Sequence, residues 1–196
     1  MISLVDEPQQ RILDALLTVA AERGFDAVSV RTVAAAASVS PAQVQYYFRS
    51  KQQLLLAAHA RVHERITARL LAVPRTGPAA DQLRGYLLAW LPLDPERRAD
   101  ATVWLAFTAA AVSSPELAAA VRDADAGVLE ALTEVVAEAQ ADGSFAPDSD
   151  HEGVAALVLA VLDGLTVRAL SDPRPTGLVL VLDRFLQGLR PGRGTR

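Results

Sequence analysis

The sequence predicts an all-α protein: an N-terminal three-helix unit with a helix-turn-helix, then a C-terminal helical domain, with about nine helices in total. Three observations carry this. Apolar residues recur at spacings of three and four along most of the chain, which places them on single helix faces. Hydrophobic content is 51% but aromatic content only 5%, and the dominance of alanine, leucine and valine favours helices. Capping serines and proline or glycine breaks cut the chain into pieces of helical length.

Residues 1–8 are expected to be a loose tail. Gln9 to Arg23 is the first helix, with Ile12, Leu16, Val19 and Leu13, Leu17, Ala20 as adjacent apolar rows. Gly24 ends it, because glycine readily takes the left-handed cap conformation, and Phe25 and Val28 pack the exit. Ser29 caps the second helix. Val30, Val33, Ala34 and Ala37 share its inner face, and its small alanines let another helix approach closely. Ser40-Pro41 starts a third helix, with a capping hydroxyl followed by a proline at the position where a missing N–H costs nothing. Pro41 also disfavours helical geometry at Ser40, so the second and third helices cannot fuse. Val39, Val44 and Phe48 anchor this segment. Pro41, Ala42, Gln43, Gln45, Tyr46 and Tyr47 are left to face outward, which is the arrangement of a helix that meets base edges in a major groove.

Ser50 caps a long helix from Lys51 to about Val73, striped by Leu54, Leu55, Ala58, Val62 and Ile66. Lys51 lies in its first turn, where the helix dipole repels a cation unless a phosphate is present. His59 and His63 stand four apart, as helix-surface or pocket-lining residues. No third ligand is suggested, so no metal site is expected. His63-Glu64-Arg65-Ile66-Thr67 lacks the second histidine of a zinc-protease motif.

Pro74-Arg75-Thr76-Gly77-Pro78 is the clearest boundary. Helices follow over Ala79–Leu91 (Leu83, Tyr86, Leu87, Trp90), Glu96–Val112 (Val103, Trp104, Phe107, Ala111) and Ser114 to about Ala141. Asp142-Gly143-Ser144 closes the last of these. Asp150–Leu170 is apolar on almost every side and must therefore be buried all round. Asp172-Pro173-Arg174-Pro175 breaks it. A final helix spans Thr176 to about Leu189, and Arg190–Arg196 forms a basic, glycine-rich tail. These last two helices carry excess apolar surface, which suggests an intermolecular four-helix bundle. Leu157, Val161 and Leu165 on the first, with Leu178, Leu182 and Phe185 on the second, are the candidate dimer contacts.

The net charge of −4 is unpromising for a DNA binder. It resolves on division: residues 1–73 hold eight Lys+Arg and six Asp+Glu, whereas residues 74–196 hold eleven and seventeen. The basic excess lies with the helix-turn-helix. No cysteine is present, which excludes disulfide and thiol chemistry and fits a cytoplasmic protein. No signal peptide is evident, and the most apolar run, Val154 to Leu162, is too short to cross a membrane. The C-terminal half has no catalytic constellation, so no enzyme is expected. It offers apolar volume with a few polar or aromatic groups, namely Tyr86, Trp90, Trp104, Phe107, Asp163 and Arg168, to which His63 can be added. Ligand cavities between helices have such linings, and so do filled cores in which Asp163 and Arg168 pair.

Val30-Arg31-Thr32-Val33-Ala34, then Val39-Ser40, then Tyr46-Tyr47-Phe48-Arg49-Ser50-Lys51-Gln52-Gln53-Leu54-Leu55 resembles the DNA-binding module of TetR-family transcriptional regulators. Ser38 stands where the family usually has glycine, so the turn needs a strained or side-chain-bonded conformation. Gln45 stands where tyrosine is common, which bears on operator sequence and on one phosphate contact. More weakly, Trp104 to Leu117 and Ala160-Val161-Leu162-Asp163-Gly164-Leu165 resemble the subgroup related to the choline-responsive regulators.

The resemblance implies domains at 1–50 (helix-turn-helix), 51–73 (connecting helix) and 74–196 (ligand binding and dimerisation). It implies that Arg31 contacts a base or a phosphate, and that Ser29, Ser40, Tyr47 and Lys51 clamp phosphates. Gln43 and Gln45 suit adenine, and Pro41 and Ala42 suit a thymine methyl. The implied function is a sequence-specific regulator, a homodimeric repressor released from a palindromic double-stranded operator by a small apolar or amphipathic effector. No cofactor is implied. The competing readings are a helical enzyme and a helical protein-interaction module, the second of which predicts no salt-dependent DNA binding.

Overall fold

The structure, a computed structural model, describes residues 7–24, 27–147, 150–172 and 177–191. The expectations for Phe25, for most of the N-terminal tail, for Pro173 to Thr176 and for the C-terminal tail beyond Pro191 fall outside those residues. Among the described residues there are nine α-helices: α1 (Glu7–Arg23), α2 (Val30–Ala37), α3 (Pro41–Tyr47), α4 (Lys51–Leu71), α5 (Ala79–Trp90), α6 (Pro95–Ala111), α7 (Pro115–Ala141), α8 (His151–Ser171) and α9 (Leu178–Leu189). The all-α expectation holds, and α1 starts at Glu7, within the stretch expected to be a tail. The chain divides into two compact units, Met1–Arg65 with Asp94–Val121, and Ile66–Leu93 with Arg122–Arg196.

In the first unit α1 packs against α2 and α6, and α2 against α3. Ile12, Leu16, Val33, Val44 and Val62 are completely buried. They are the residues that recur at helical spacing, so the apolar rows of the sequence become the core. Phe107, Leu55, Ala111 and Leu117 form a second apolar cluster. Asp100 is also buried, and a carboxylate there needs a partner. Arg65 supplies it with Nε 3.4 Å from Asp100 Oδ1, while its Nη2 lies 2.5 Å from Glu96 Oε1.

The second unit has a core of Leu83, Leu87, Leu91, Val136, Phe145, Leu162 and Leu182, drawn from α5, α7, α8, α9 and their connections. Pro78 precedes α5 and has no side chain that can cap it. The turn after α7 does so instead. Asp142 Oδ2 accepts from the Ala79 N–H at 2.8 Å and Ser144 Oγ accepts from the Ala80 N–H at 3.2 Å, satisfying donors that a helix start leaves open. Arg84 on α5 donates two bonds to the carboxylate of Asp183 on α9, at 2.6 and 3.1 Å.

The expectation for α8 is corrected here. By length and composition α8 is apolar enough to span a bilayer, with a mean hydropathy of 1.9. It is also not buried all round: Ala155, Val158, Leu162, Leu165 and Ala169 face the core, whereas Leu157 and Val167 are exposed. The six candidate dimer contacts differ in exposure within the single chain. Leu165, Leu178 and Leu182 belong to the core of their own unit, and Val161 and Phe185 are partly buried against it. Of the six, Leu157 alone is a large exposed apolar residue, and the others of that kind on these helices are Val167, Leu180 and Val181.

Candidate nucleic-acid interface

Three local devices set α2, α3 and the start of α4. Ser29 Oγ accepts from the Thr32 N–H at 3.2 Å, and Thr32 Oγ1 accepts from the Ser29 N–H at 2.9 Å, a reciprocal cap. Ser40 Oγ accepts from the Gln43 N–H at 3.1 Å with Pro41 as the first helical residue, and Ser50 Oγ accepts from the Gln53 N–H at 3.1 Å. Between α2 and α3 the chain turns through Ser38, the one non-glycine residue with positive φ among those described (φ 56°, ψ 42°). The departure from glycine therefore carries the strain that the sequence implies.

The turn leaves α3 with two unlike flanks. Val44 is completely buried and Phe48 almost so. Pro41, Ala42, Gln45 and Tyr46 are exposed, while Gln43 and Tyr47 are half-buried. Tyr46 is 79% exposed and meets Tyr47 edge to face, with centroids 5.2 Å apart. An exposed tyrosine beside the exposed amide of Gln45 forms a flank that protein does not cover. Ser29, Arg31, Ser40 and Lys51 are exposed as well, so the ten residues anticipated for DNA all lie in the first unit and eight of them are open to solvent.

The charges at the helix starts are uneven. Helices α1, α5, α6, α7 and α8 each carry an acid in the first turn: Glu7, Asp81, Glu96, Glu116 and Glu152. Helices α2, α3 and α4 carry none, as is also true of α9. Arg31 and Lys51 instead occupy the first turns of α2 and α4. A cation at a helix N-terminus costs roughly 0.3–1 kcal/mol in isolation, a cost offset when an anion sits against it. Arg23, Arg31, Arg49 and Lys51 have no acidic partner among the described residues, whereas Arg61 and Arg65 are paired. An open depression beside α2 is lined by Arg23, Ser29, Arg31, Thr32, Ala35 and Ala36.

The seven residues anticipated for a ligand divide between the two units. Phe107 is completely buried and stacks on His59, with centroids 4.0 Å apart and planes 17° apart, so it is a core residue. His63 lies edge-on to His59 at 4.6 Å. His59 is itself 6% exposed, and burial, then the charge of His63, lowers its pKa to about 4. It is therefore neutral at pH 7. Of the two expectations for His59, surface or pocket lining, its burial excludes the first, and its spacing from Leu55 and Val62 puts it in the same stripe. Trp104 on α6 and Tyr86 and Trp90 on α5 are half-buried, and Trp90 packs against the core of the second unit. Asp163 is half-buried, and burial, with a smaller contribution from Asp125, pushes its carboxyl up to about 6. Arg168 is exposed, and no ion pair joins it to Asp163.

Residues 12–58 match the family described as bacterial regulatory proteins, tetR family, and residues 79–191 match the family described as BetI-type transcriptional repressor, C-terminal. The HTH-type transcriptional regulator PksA of Bacillus subtilis is 28% identical over 170 residues, 86% of this chain and 81% of its own. A transcriptional regulator from Rhodococcus sp. RHA1 has a crystal structure that superposes with a TM-score of 0.83 at 33% identity, covering 94% of this chain and 96% of its own. A transcriptional regulator from Saccharomonospora viridis, crystallised in complex with choline, gives a TM-score of 0.83 at 25% identity over 91% of this chain and 94% of its own.

Proposed function

The chain belongs to the TetR family of helix-turn-helix transcriptional regulators, with a C-terminal domain of the BetI type, and from that premise we propose that it is a cytoplasmic homodimeric repressor released from a palindromic operator by a small amphipathic effector. The observation that carries this reading is the two-flanked α3. Val44 and Phe48 hold it down, and Gln45 and Tyr46 stand clear of the protein.

In this reading Gln43 and Gln45 donate to and accept from adenine edges, and Pro41 and Ala42 touch thymine methyls. Ser29, Ser40, Tyr47 and Lys51 hold phosphates and set register, while Arg31 reaches a base or a phosphate. One seven-residue helix contacts too few base pairs for useful specificity, and a two-fold dimer doubles the contacts across an inverted repeat. The exposed apolar residues Leu157, Val167, Leu180 and Val181 on α8 and α9 support such a pairing.

The effector reading rests on the second unit and on the choline-bound relative. Asp163 is a half-buried carboxylate with no cationic partner among the described residues, a group suited to a cationic head. Effector binding changes the spacing of the two reading helices and so the affinity for DNA, which requires different affinities for the two conformations. Selection of bound duplexes from a random pool, with and without a metabolite mixture, tests the whole reading. An enriched inverted repeat, lost in the presence of an effector, is expected. Absence of enrichment at any salt concentration contradicts it.

A further inference from the structure

Arg23, which no motif singles out, ends α1 in an exposed position and lines the same open depression as Ser29, Arg31 and Thr32. Two guanidinium groups therefore border one concavity that has no acidic side chain among the described residues of its lining. Neither has an acidic partner among the described residues. Each guanidinium is a planar fork of donors that fits phosphate oxygens in pairs. Ala35 and Ala36 complete the lining and are exposed and small, so a backbone can approach without displacing a long side chain.

The hydroxyls are arranged to help. Thr32 Oγ1 donates to the Ala27 carbonyl at 2.7 Å while accepting from the Ser29 N–H. Ser29 Oγ accepts from the Thr32 N–H. The proton on Ser29 Oγ has Thr32 Oγ1 within 3.0 Å, and it can turn outward to an anion without breaking the cap.

We propose that this depression is a DNA-backbone site in which Arg23 joins Arg31 and Ser29 in holding one operator phosphate per protomer. The proposal rests on the regulator reading above and adds Arg23 as an anchor that fixes register without reading sequence.

The test titrates the full chain against the selected duplex across a salt series, for wild type, Arg23→Gln, Arg23→Lys and Ala36→Glu. Each phosphate contact contributes about 0.9 to the slope of log affinity against log salt. Arg23→Gln in a dimer is expected to lower that slope by roughly 2 and to weaken binding about tenfold at low salt, with the ranking of operator variants unchanged. Arg23→Lys keeps most of the slope, and Ala36→Glu, which places a carboxylate in the depression, weakens binding at least as much as Arg23→Gln. An unchanged slope in Arg23→Gln, with Tyr47→Ala still weakening binding in the same assay, overturns the proposal and leaves the regulator reading standing. Failure of the wild type to bind any duplex removes both. A parallel titration with inorganic pyrophosphate separates the other source of the same chemistry. Saturable pyrophosphate binding that Arg23→Gln abolishes, with the DNA slope unchanged, assigns the depression to a free anion and overturns the DNA assignment.

Discussion

The ring of His59 lies flat on that of Phe107, with centroids 4.0 Å apart and planes 17° apart, inside the unit that holds the helix-turn-helix. A protonated imidazole in that position loses its hydration and meets His63, which is why its pKa falls to about 4 from an ordinary 6.5. The unfolded chain therefore binds a proton between about pH 6.5 and pH 4 that the folded chain refuses. The contribution of His59 to stability is complete above pH 6.5 and declines as the pH falls through that window, by up to about 3 kcal/mol, while the raised carboxyl of Asp163 acts in the opposite direction between about pH 6 and pH 4. Thermal melts from pH 7 to pH 4, compared between wild type and His59→Phe, isolate the decline. His59→Phe keeps an aromatic ring against Phe107 and should flatten it, so an equally steep acid limb in that variant would assign the titration to another group.

Ser38 holds a left-handed conformation that glycine adopts without strain. A Cβ in this region costs roughly 1–2 kcal/mol, partly balanced by the greater chain entropy of glycine when unfolded. Ser38→Gly should therefore stabilise the protein by about 1 kcal/mol and raise Tm by about 2–4 °C, with DNA affinity unchanged. Calorimetry checks the first part and anisotropy the second.

Arg84 and Asp183 join α5 to α9 through two hydrogen bonds. Hydrogen bonding to Arg84 holds the Asp183 carboxyl below its ordinary pKa, so this contribution is present at neutral pH and lost in acid. Both side chains are about a third exposed, and solvent screening limits the pair to about 1 kcal/mol. A double-mutant cycle with Arg84→Met and Asp183→Asn should give a coupling of that size, shrinking in high salt.

Leu180 and Val181 are 72% and 52% exposed on α9, and on the dimer reading they meet a second copy. Leu180→Asp with Val181→Asp should leave the helical spectrum intact, halve the mass measured by sedimentation equilibrium, and weaken operator binding through loss of the paired half-site. A wild type that sediments as a monomer at micromolar concentration would contradict the pairing.

Helix starts were legible because cap chemistry is local. Ser29, Ser40-Pro41 and Ser50 act on N–H groups within three residues of themselves. The strain at Ser38 was legible for the same reason. The cap on α5 was not, because Asp142 and Ser144 lie more than sixty residues beyond Ala79 and Ala80. The inner and outer faces of α8 were misjudged because a helix apolar on nearly every side has no phase to read. On α9 the core row is Leu178, Leu182 and Leu186, and Leu180 and Val181 between them are as apolar as the row they flank. The position of His59 stayed open between surface and pocket lining because a histidine suits either, although the helical stripe of Leu55 and Val62 places it inside.

Tyr47→Ala should lower operator affinity without unfolding the chain, since the half-buried ring touches Phe48 at the edge of the core, with centroids 6.4 Å apart. An unaltered affinity at matched salt would remove Tyr47 from the phosphate contacts.

The central claim is that the exposed flank of α3 reads base edges. Its most direct test is the affinity of wild type and Gln45→Ala for every single-base variant of the selected operator. The account predicts that Gln45→Ala loses about 1–3 kcal/mol of discrimination at one base pair in each half-site, placed symmetrically, and keeps it elsewhere. A discrimination profile identical to that of the wild type at every position would contradict it.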